Sequence, residues 1–378
     1  MGRYTWAIVG AATLLGCFLL PVGAAGAVGA ASVTSPEGSL TAVSASAANN
    51  AWAVGCRPAT FQCPGNGVDV AYHWNGKAWK QVSVPMPVPP NPADTKSGQL
   101  TGVKVISASD AWAVGDSGTG AQIVHWNGTA WKQVAVPKLP SPYFTGYSLA
   151  AVSASSPSNV WAVGYGGDNV SITLHYNGKS WSRVASPSPG STYLYGVTVI
   201  SSGNAWAVGA DIGSCACEKA LILHWNGKAW KVVTSAYPSP ASTLNAVAAV
   251  PGSGPWAGGY SRDFVNITLL MKWNGSSWKR ATAGLGTSDP AGFTYVFGMA
   301  ASSASDVWAA GSRLLHWNGT TWKTVSVPKL PGLGLNGLTA VAATSRTNAW
   351  TVGSYDDTAS VPHIVILHWN GKAWARAA

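Results

Sequence analysis

One short motif recurs seven times and limits what this chain can become: an Asn-Gly pair between two aromatic residues, as in His73-Trp74-Asn75-Gly76-Lys77-Ala78-Trp79. A type I′ turn needs positive φ at both central residues, which Asn and Gly tolerate best. Asn-Gly between apolar runs is therefore the strongest short-range signal for a β-hairpin. The pair stands at Asn75-Gly76, Asn127-Gly128, Asn177-Gly178, Asn226-Gly227, Asn274-Gly275, Asn318-Gly319 and Asn370-Gly371. Upstream of each comes an alternating apolar run, then a Ser-rich turn usually ending in Asp or Asn. An AWAVG-like strand follows, with Trp52, Trp112, Trp161, Trp206, Trp256, Trp308 or Trp350. Each unit thus reads as four short strands, a to d, in an antiparallel meander. The units start near residues 40, 100, 149, 194, 244, 296 and 338.

A lone four-stranded sheet with two apolar faces is not stable in water. Radial stacking buries the faces and a closed ring shields the ends. The expected fold is all-β, a seven-bladed β-propeller of four-stranded antiparallel blades spanning residues 32–378. Only 10% of residues are charged, which fits sheets buried on both sides. Of 21 Trp, Trp6 lies in the leader; the others occupy three repeat positions, with Tyr176 in the one gap. Trp suits a wedge between blades, because it buries a large area and its indole N–H can reach a carbonyl. Strand a begins near Leu40 and strand d of the last unit ends just past Trp374. No strand is left over to zip the ends, so closure is expected to rest on packing of blade 7 against blade 1.

Residues 1–31 read as a signal peptide: Arg3, an apolar run from Trp6 to about Leu20, Pro21, and small residues offering cleavage sites such as Val28-Gly29-Ala30. An uncleaved membrane anchor and a lipobox ending at Cys17 are the alternatives, and membrane contact is expected only through them. The protein is expected outside the cell, secreted or on the surface, as a monomer. Cys56, Cys63, Cys215 and Cys217 remain after the leader. An even count in an exported chain favours disulfides, and no histidine or second pair nearby suggests zinc. Neither metal nor cofactor is expected.

The hairpin WNGKAW resembles the c–d turn of Asp-box (sialidase-like) propellers, whose repeat ends in D-x-G-x-x-W, and more loosely Kelch and quinoprotein repeats. It departs from the Asp-box at the Ser and Asp positions. The whole ring also resembles Trp-rich repeats of exported bacterial proteins. A sialidase would imply converging arginines and a Tyr–Glu pair, yet the chain has only Glu37 and Glu218, and its arginines are scattered. Six histidines fill one repeat position, with Lys272 in the seventh. A catalytic His is needed once, so these read as packing residues and no catalytic residue is assigned.

Meander topology puts the b–c loops and d–a connections on one face of the ring, here called upper, and the a–b turns and c–d hairpins on the other. The upper face carries nearly all the length variation, and variable loops on a rigid scaffold are where binding residues concentrate. Its candidate ligand-binding residues are Asp116, Tyr165, Asp168, Asp211, Tyr260, Asp263, Tyr355 and Asp356. Aromatic faces with nearby carboxylates suit sugars. The expected function is a non-enzymatic binding or scaffolding propeller recognising carbohydrate or cell wall; a glycosidase using upper-face carboxylates is the alternative. The cations cluster on the hairpins and strand d, where they guard a sheet edge or hold an anionic cell-wall polymer. No base-stacking motif accompanies them, so nucleic acid is not an expected partner.

Overall fold

The computed structural model describes residues 35–58, 67–86, 97–118, 120–139, 146–166, 170–213, 218–234, 241–262, 267–285, 295–330 and 334–377. Among them are seven sheets, each of four consecutive antiparallel strands. Blade 1 is built from Ser39–Ala47, Asn50–Pro58, Gly67–Trp74 and Trp79–Val82; blade 7 from Gly334–Ser345, Asn348–Asp356, Pro362–Trp369 and Trp374–Arg376. Each strand a touches the strand a of the next blade, and that of blade 7 touches that of blade 1, so the propeller ring is closed.

The seams repeat one aromatic arrangement. Trp52 of strand b packs on Trp126 and Trp131 of the next blade, with centroids 4.8 and 4.9 Å apart. Trp161 packs likewise on Trp225 and Trp230, and Trp206 on Trp273 and Trp278. Trp350 closes the ring on Trp74 and Trp79 at 4.9 and 5.0 Å. Four strand-c indoles, those of Trp74, Trp126, Trp225 and Trp369, donate to a–b turn carbonyls, as Trp74 does to Ala48 O at 3.0 Å. Six strand-b indoles do not: Nε1 of Trp52, Trp112, Trp161, Trp256, Trp308 and Trp350 has no hydrogen-bond partner among the described residues. There, T-shaped contacts set the edge of one ring on the face of another. Indole N–H groups reach carbonyls, as expected, at part of the seam.

Closure also has a device that the strand count missed. Residues just before strand a of blade 1 pair with strand c of blade 7: Gly38 N donates to Pro362 O at 2.8 Å and Ile364 N to Pro36 O at 2.9 Å, around a Glu37–His363 bridge. Strand d of blade 7 is only three residues long, and its pairing ends where Ala377 N meets Ile366 O at 2.9 Å. Residues 36–38 continue along that open edge. Gly98 N donates to Gly67 O at 2.7 Å in the same way, so the clasp restores a contact that the covalent connection makes between blades 1 and 2.

His363 locks the clasp through Ser35 O at 2.9 Å and Asp357 Oδ2 at 3.0 Å, and Arg376 donates to Ser35 Oγ. Burial works against the imidazolium, but the bonds to Asp357 and Ser35 and the charges of Asp357 and Glu37 outweigh it and raise the His363 pKa. This contribution is complete below the ordinary histidine range and is lost as pH rises through the raised value. A chain starting at Ser39 is expected to melt at a lower temperature than one starting at Ser35, with the difference larger at pH 6 than at pH 9. Equal calorimetric midpoints at both pH values would contradict this.

Candidate functional site

On the lower face the repeated motifs hold the structure together. Asn75 Oδ1 accepts from the amides of Lys77 and Ala78 at 3.0 and 3.1 Å, fixing a four-residue turn between Trp74 and Trp79 in which Gly76 has positive φ (90°) and Asn75 does not, unlike the expected type I′ turn. The repeat histidines stack on the strand-b indoles, His73 on Trp52 at 4.5 Å and His316 on Trp308 at 4.1 Å. Their Nε2 atoms meet the Asn or Asp that ends the a–b turn: His73 to Asn50 at 2.9 Å, His125 to Asp110 at 2.8 Å, and His368 to Asn348 at 2.8 Å. Burial lowers the pKa of His73, His175, His224 and His368, which favours neutral rings. In blade 5 both partners are replaced: Gly254 stands for the Asn, and Lys272 places its ammonium 5.4 Å from the Trp256 ring.

On the upper face, strand a of every blade is bulged near its start, at Thr41, Thr101, Ala150, Tyr195, Asn245, Phe297 and Thr339. A bulge re-aims its side chain. Here four of the seven reach across to the next blade: Thr41 to Leu100 O at 2.5 Å, Thr101 to Leu149 O at 2.5 Å, Asn245 to Val296 O at 2.8 Å, and Thr339 to Leu40 O at 2.6 Å. Blades 4 and 6 put aromatic rings there instead.

Those rings are not alone. Tyr193 and Tyr195 lie 6.4 Å apart with planes 13° from parallel, and Tyr295 and Phe297 6.1 Å apart at 14°. Tyr165 leans on the first pair at 5.2 and 6.1 Å. Tyr260 meets Tyr295 edge to face at 4.7 Å. Between the pairs stands Glu218, whose Oε2 accepts from Thr243 Oγ1 at 2.8 Å and Tyr260 Oη at 3.2 Å. Arg262 lies over the Tyr260 ring at 5.0 Å. Burial raises the Tyr195 pKa, and the neighbouring Tyr165, Glu218, Tyr260 and Tyr193 raise it further, so the first pair lies within electrostatic reach of Glu218 and Tyr260. Phe297 is 45% exposed, open contact area for a ligand.

The structure thus brings Tyr165 and Tyr260 into one arc over blades 3 to 6, with Tyr193, Tyr195, Glu218, Tyr295 and Phe297. Asp116 and Tyr165 also share a cavity of ≈ 460 Å³, lined in addition by Ser97, Gln99, Thr101 and Ser148. Burial raises the Asp116 pKa, partly offset by the Gly118 amide donating to Oδ1 at 2.5 Å. Asp211 tucks against Gly190, where a Cβ would come within 2.5 Å of its Oδ1. Tyr355 is different. It is 4% exposed in the core between blades 6 and 7, stacked on His363 at 5.3 Å, and offers no ring face to a ligand. Asp356 follows it at the end of strand b of blade 7, away from the arc. Asp168, Asp263, Cys63, Cys215 and Cys217 lie outside the described residues; Cys56 is buried and disulfide-bonded.

A further acid, Asp69, is 6% exposed at the seam between blades 1 and 2. Its Oδ2 accepts from Gln122 Nε2 at 2.9 Å, while among the described residues its Oδ1 and Gln122 Oε1 have no partner. Burial pushes its pKa up to about 6, the Gln122 bond opposing the rise and the charge of Asp116 adding to it.

Solved structures with this architecture include YCF48 bound to D1 peptide, with a TM-score of 0.56 at 16% identity, covering 89% of this chain and 94% of that one. They share a fold. YCF48 from Cyanidioschyzon merolae matches at 0.50 and 17%, covering 79% of this chain and 88% of that one. A six-bladed fucose-binding fungal lectin, from Aleuria aurantia, matches at 0.46 and 15%, covering 91% and 95%. No family model matches the chain, and no curated protein is similar to it.

Proposed function

We propose that this is a non-catalytic extracellular binding propeller whose upper mouth takes carbohydrate on the arc from Tyr165 to Phe297. The observation behind this reading is the pairing of two sets of near-parallel rings, on blades 4 and 6, with a carboxylate fixed between them. Pyranose rings present C–H faces that stack on aromatic planes and hydroxyls that donate to carboxylates. Glu218 is already oriented by Thr243 and Tyr260, so a ligand does not have to immobilise it. The exposed cations of the hairpins and strand d, Lys80, Lys132, Lys231 and Lys323 among them, lie on other parts of each blade and suit retention on an anionic cell-wall polymer.

A glycan array probed with residues 32–378 tests the reading. Neutral oligosaccharides are expected to bind. Glu218→Gln is expected to weaken the best ligand about tenfold or more, since hydrogen bonds to a charged group contribute about 1.5–3 kcal/mol. Tyr260→Phe, which releases one of the groups holding Glu218, is expected to cost less. Binding to unglycosylated peptides with no response to any glycan would overturn the proposal.

A further inference from the structure

Strands a line a central channel of ≈ 260 Å³, and its walls are apolar or hydroxylated with one exception, Lys104. Lys104 pairs in register with Trp112, as Ser44, Ser153 and Thr198 pair with the equivalent Trp52, Trp161 and Trp206. At this position a hydroxyl crosses to the next blade and accepts a free edge amide. Val105 N donates to Ser44 Oγ at 3.0 Å, Val199 N to Ser153 Oγ at 3.1 Å, and Ala249 N to Thr198 Oγ1 at 3.1 Å. In blade 2 the hydroxyl is replaced by an ammonium, which only donates. By the same register the amide facing it is that of Ala154, so two donors meet where blades 1, 3 and 4 supply an acceptor and blades 5 to 7 supply alanine, which adds no charge.

Among the described residues, no carboxylate lines the channel to balance the charge. Burial lowers the Lys104 pKa with no opposing contribution. Lys104 is half-buried in the bore. A charge partly withdrawn from water without an opposite charge beside it is costly, and lysine is not needed for packing here, because serine, threonine or alanine serves in the other blades.

We infer that the central channel is a binding site for a small inorganic anion of the halide class, with Lys104 as its charged ligand and the blade 3 edge amide as a second donor. The anion supplies the acceptor that the serine blades carry in their own side chains, and it cancels the one charge in the bore. The exposed lysines of the rim are solvated and give no comparable enclosure.

The test compares the wild-type protein with Lys104→Ser, which installs the residue that blades 1 and 3 already use, and with Lys132→Ser on the rim. Thermal midpoints are followed in sodium bromide, and crystals grown in bromide are examined by anomalous diffraction. A saturable rise in midpoint is expected for wild type and Lys132→Ser and not for Lys104→Ser. An anomalous peak is expected in the channel within hydrogen-bonding reach of Lys104 Nζ. The same bromide response in all three proteins, or wild-type crystals with no peak in the channel, would overturn the inference. The diffraction arm needs only the wild-type protein and decides the matter even where Lys104→Ser folds poorly.

Discussion

Replacing Trp350 with alanine is expected to destabilise the protein by about 3–5 kcal/mol, the range for emptying a fully buried aromatic site. Trp350 is 1% exposed, sits 5.0 Å from Trp79 with ring planes at 90° and 4.9 Å from Trp74, and carries His368 stacked at 4.2 Å. Those contacts span the one seam that no covalent d–a connection bridges. Trp161 has matching neighbours, Trp225 at 4.8 Å and Trp230 at 5.0 Å, at a seam that the chain itself crosses. The two substitutions remove similar buried area, so the difference between them isolates closure. Trp350→Ala should cost more, and should lower the urea slope as well as the midpoint, because an opened ring already exposes surface that unfolding would otherwise expose. A loss under about 1 kcal/mol at Trp350, or identical urea curves for the two variants, would contradict the seam account.

Asp69→Asn should act in the opposite direction. The folded-state pKa of Asp69 is raised from 3.8 to about 6, so the folded protein holds this proton more tightly than the unfolded chain does. Stability then falls as pH climbs from about 4 to about 6, and the penalty, about 3 kcal/mol at about 1.4 kcal/mol per pKa unit, is complete above that. Asparagine cannot ionise. Its amide would also supply a donor where Gln122 Oε1 has none, turning a one-sided contact into a reciprocal amide pair. The variant is expected to be more stable than wild type by about 2–3 kcal/mol at pH 7.5, and nearly equal to it at pH 4. His363 titrates in both proteins, so its effect cancels in the comparison. Denaturant midpoints at the two pH values check this; an Asn variant less stable at pH 7.5 would contradict it.

How much of this could be read from the chain depends on whether a feature repeats. Asn-Gly needs a particular backbone, Trp needs a particular volume, and seven copies of each leave one architecture. The His–Asn pairing was also legible, in blade 5, where Lys272 and Gly254 depart from the pattern together. Features outside the repeat were harder. Pro36-Glu37-Gly38 has the composition of a linker, and its role appears only because strand d of blade 7 stops short. Asp69 reads as a loop acid until register places it beside Gln122 on the neighbouring blade.

The aromatic arc lay between these cases. Tyr260 and Tyr165 stood out as loop aromatics, whereas Tyr195 and Phe297 were absorbed into an apolar strand. Aligning the repeats at that single position gives Thr, Thr, Ala, Tyr, Asn, Phe, Thr, and the two rings then stand apart. A scaffold position that keeps a small residue in most blades and takes a large ring in two, half-buried at Tyr195 and exposed at Phe297, has been released from scaffolding.

The most direct test is therefore to restore the repeat. A Tyr195→Thr and Phe297→Thr double variant gives blades 4 and 6 the residue of blades 1, 2 and 7, including the hydroxyl that reaches the next blade. Its melting temperature and urea midpoint should match wild type or exceed it, while calorimetric affinity for the best array glycan should fall at least tenfold. A double variant that keeps its fold and binds that glycan as tightly as wild type would show that the function lies elsewhere on the ring.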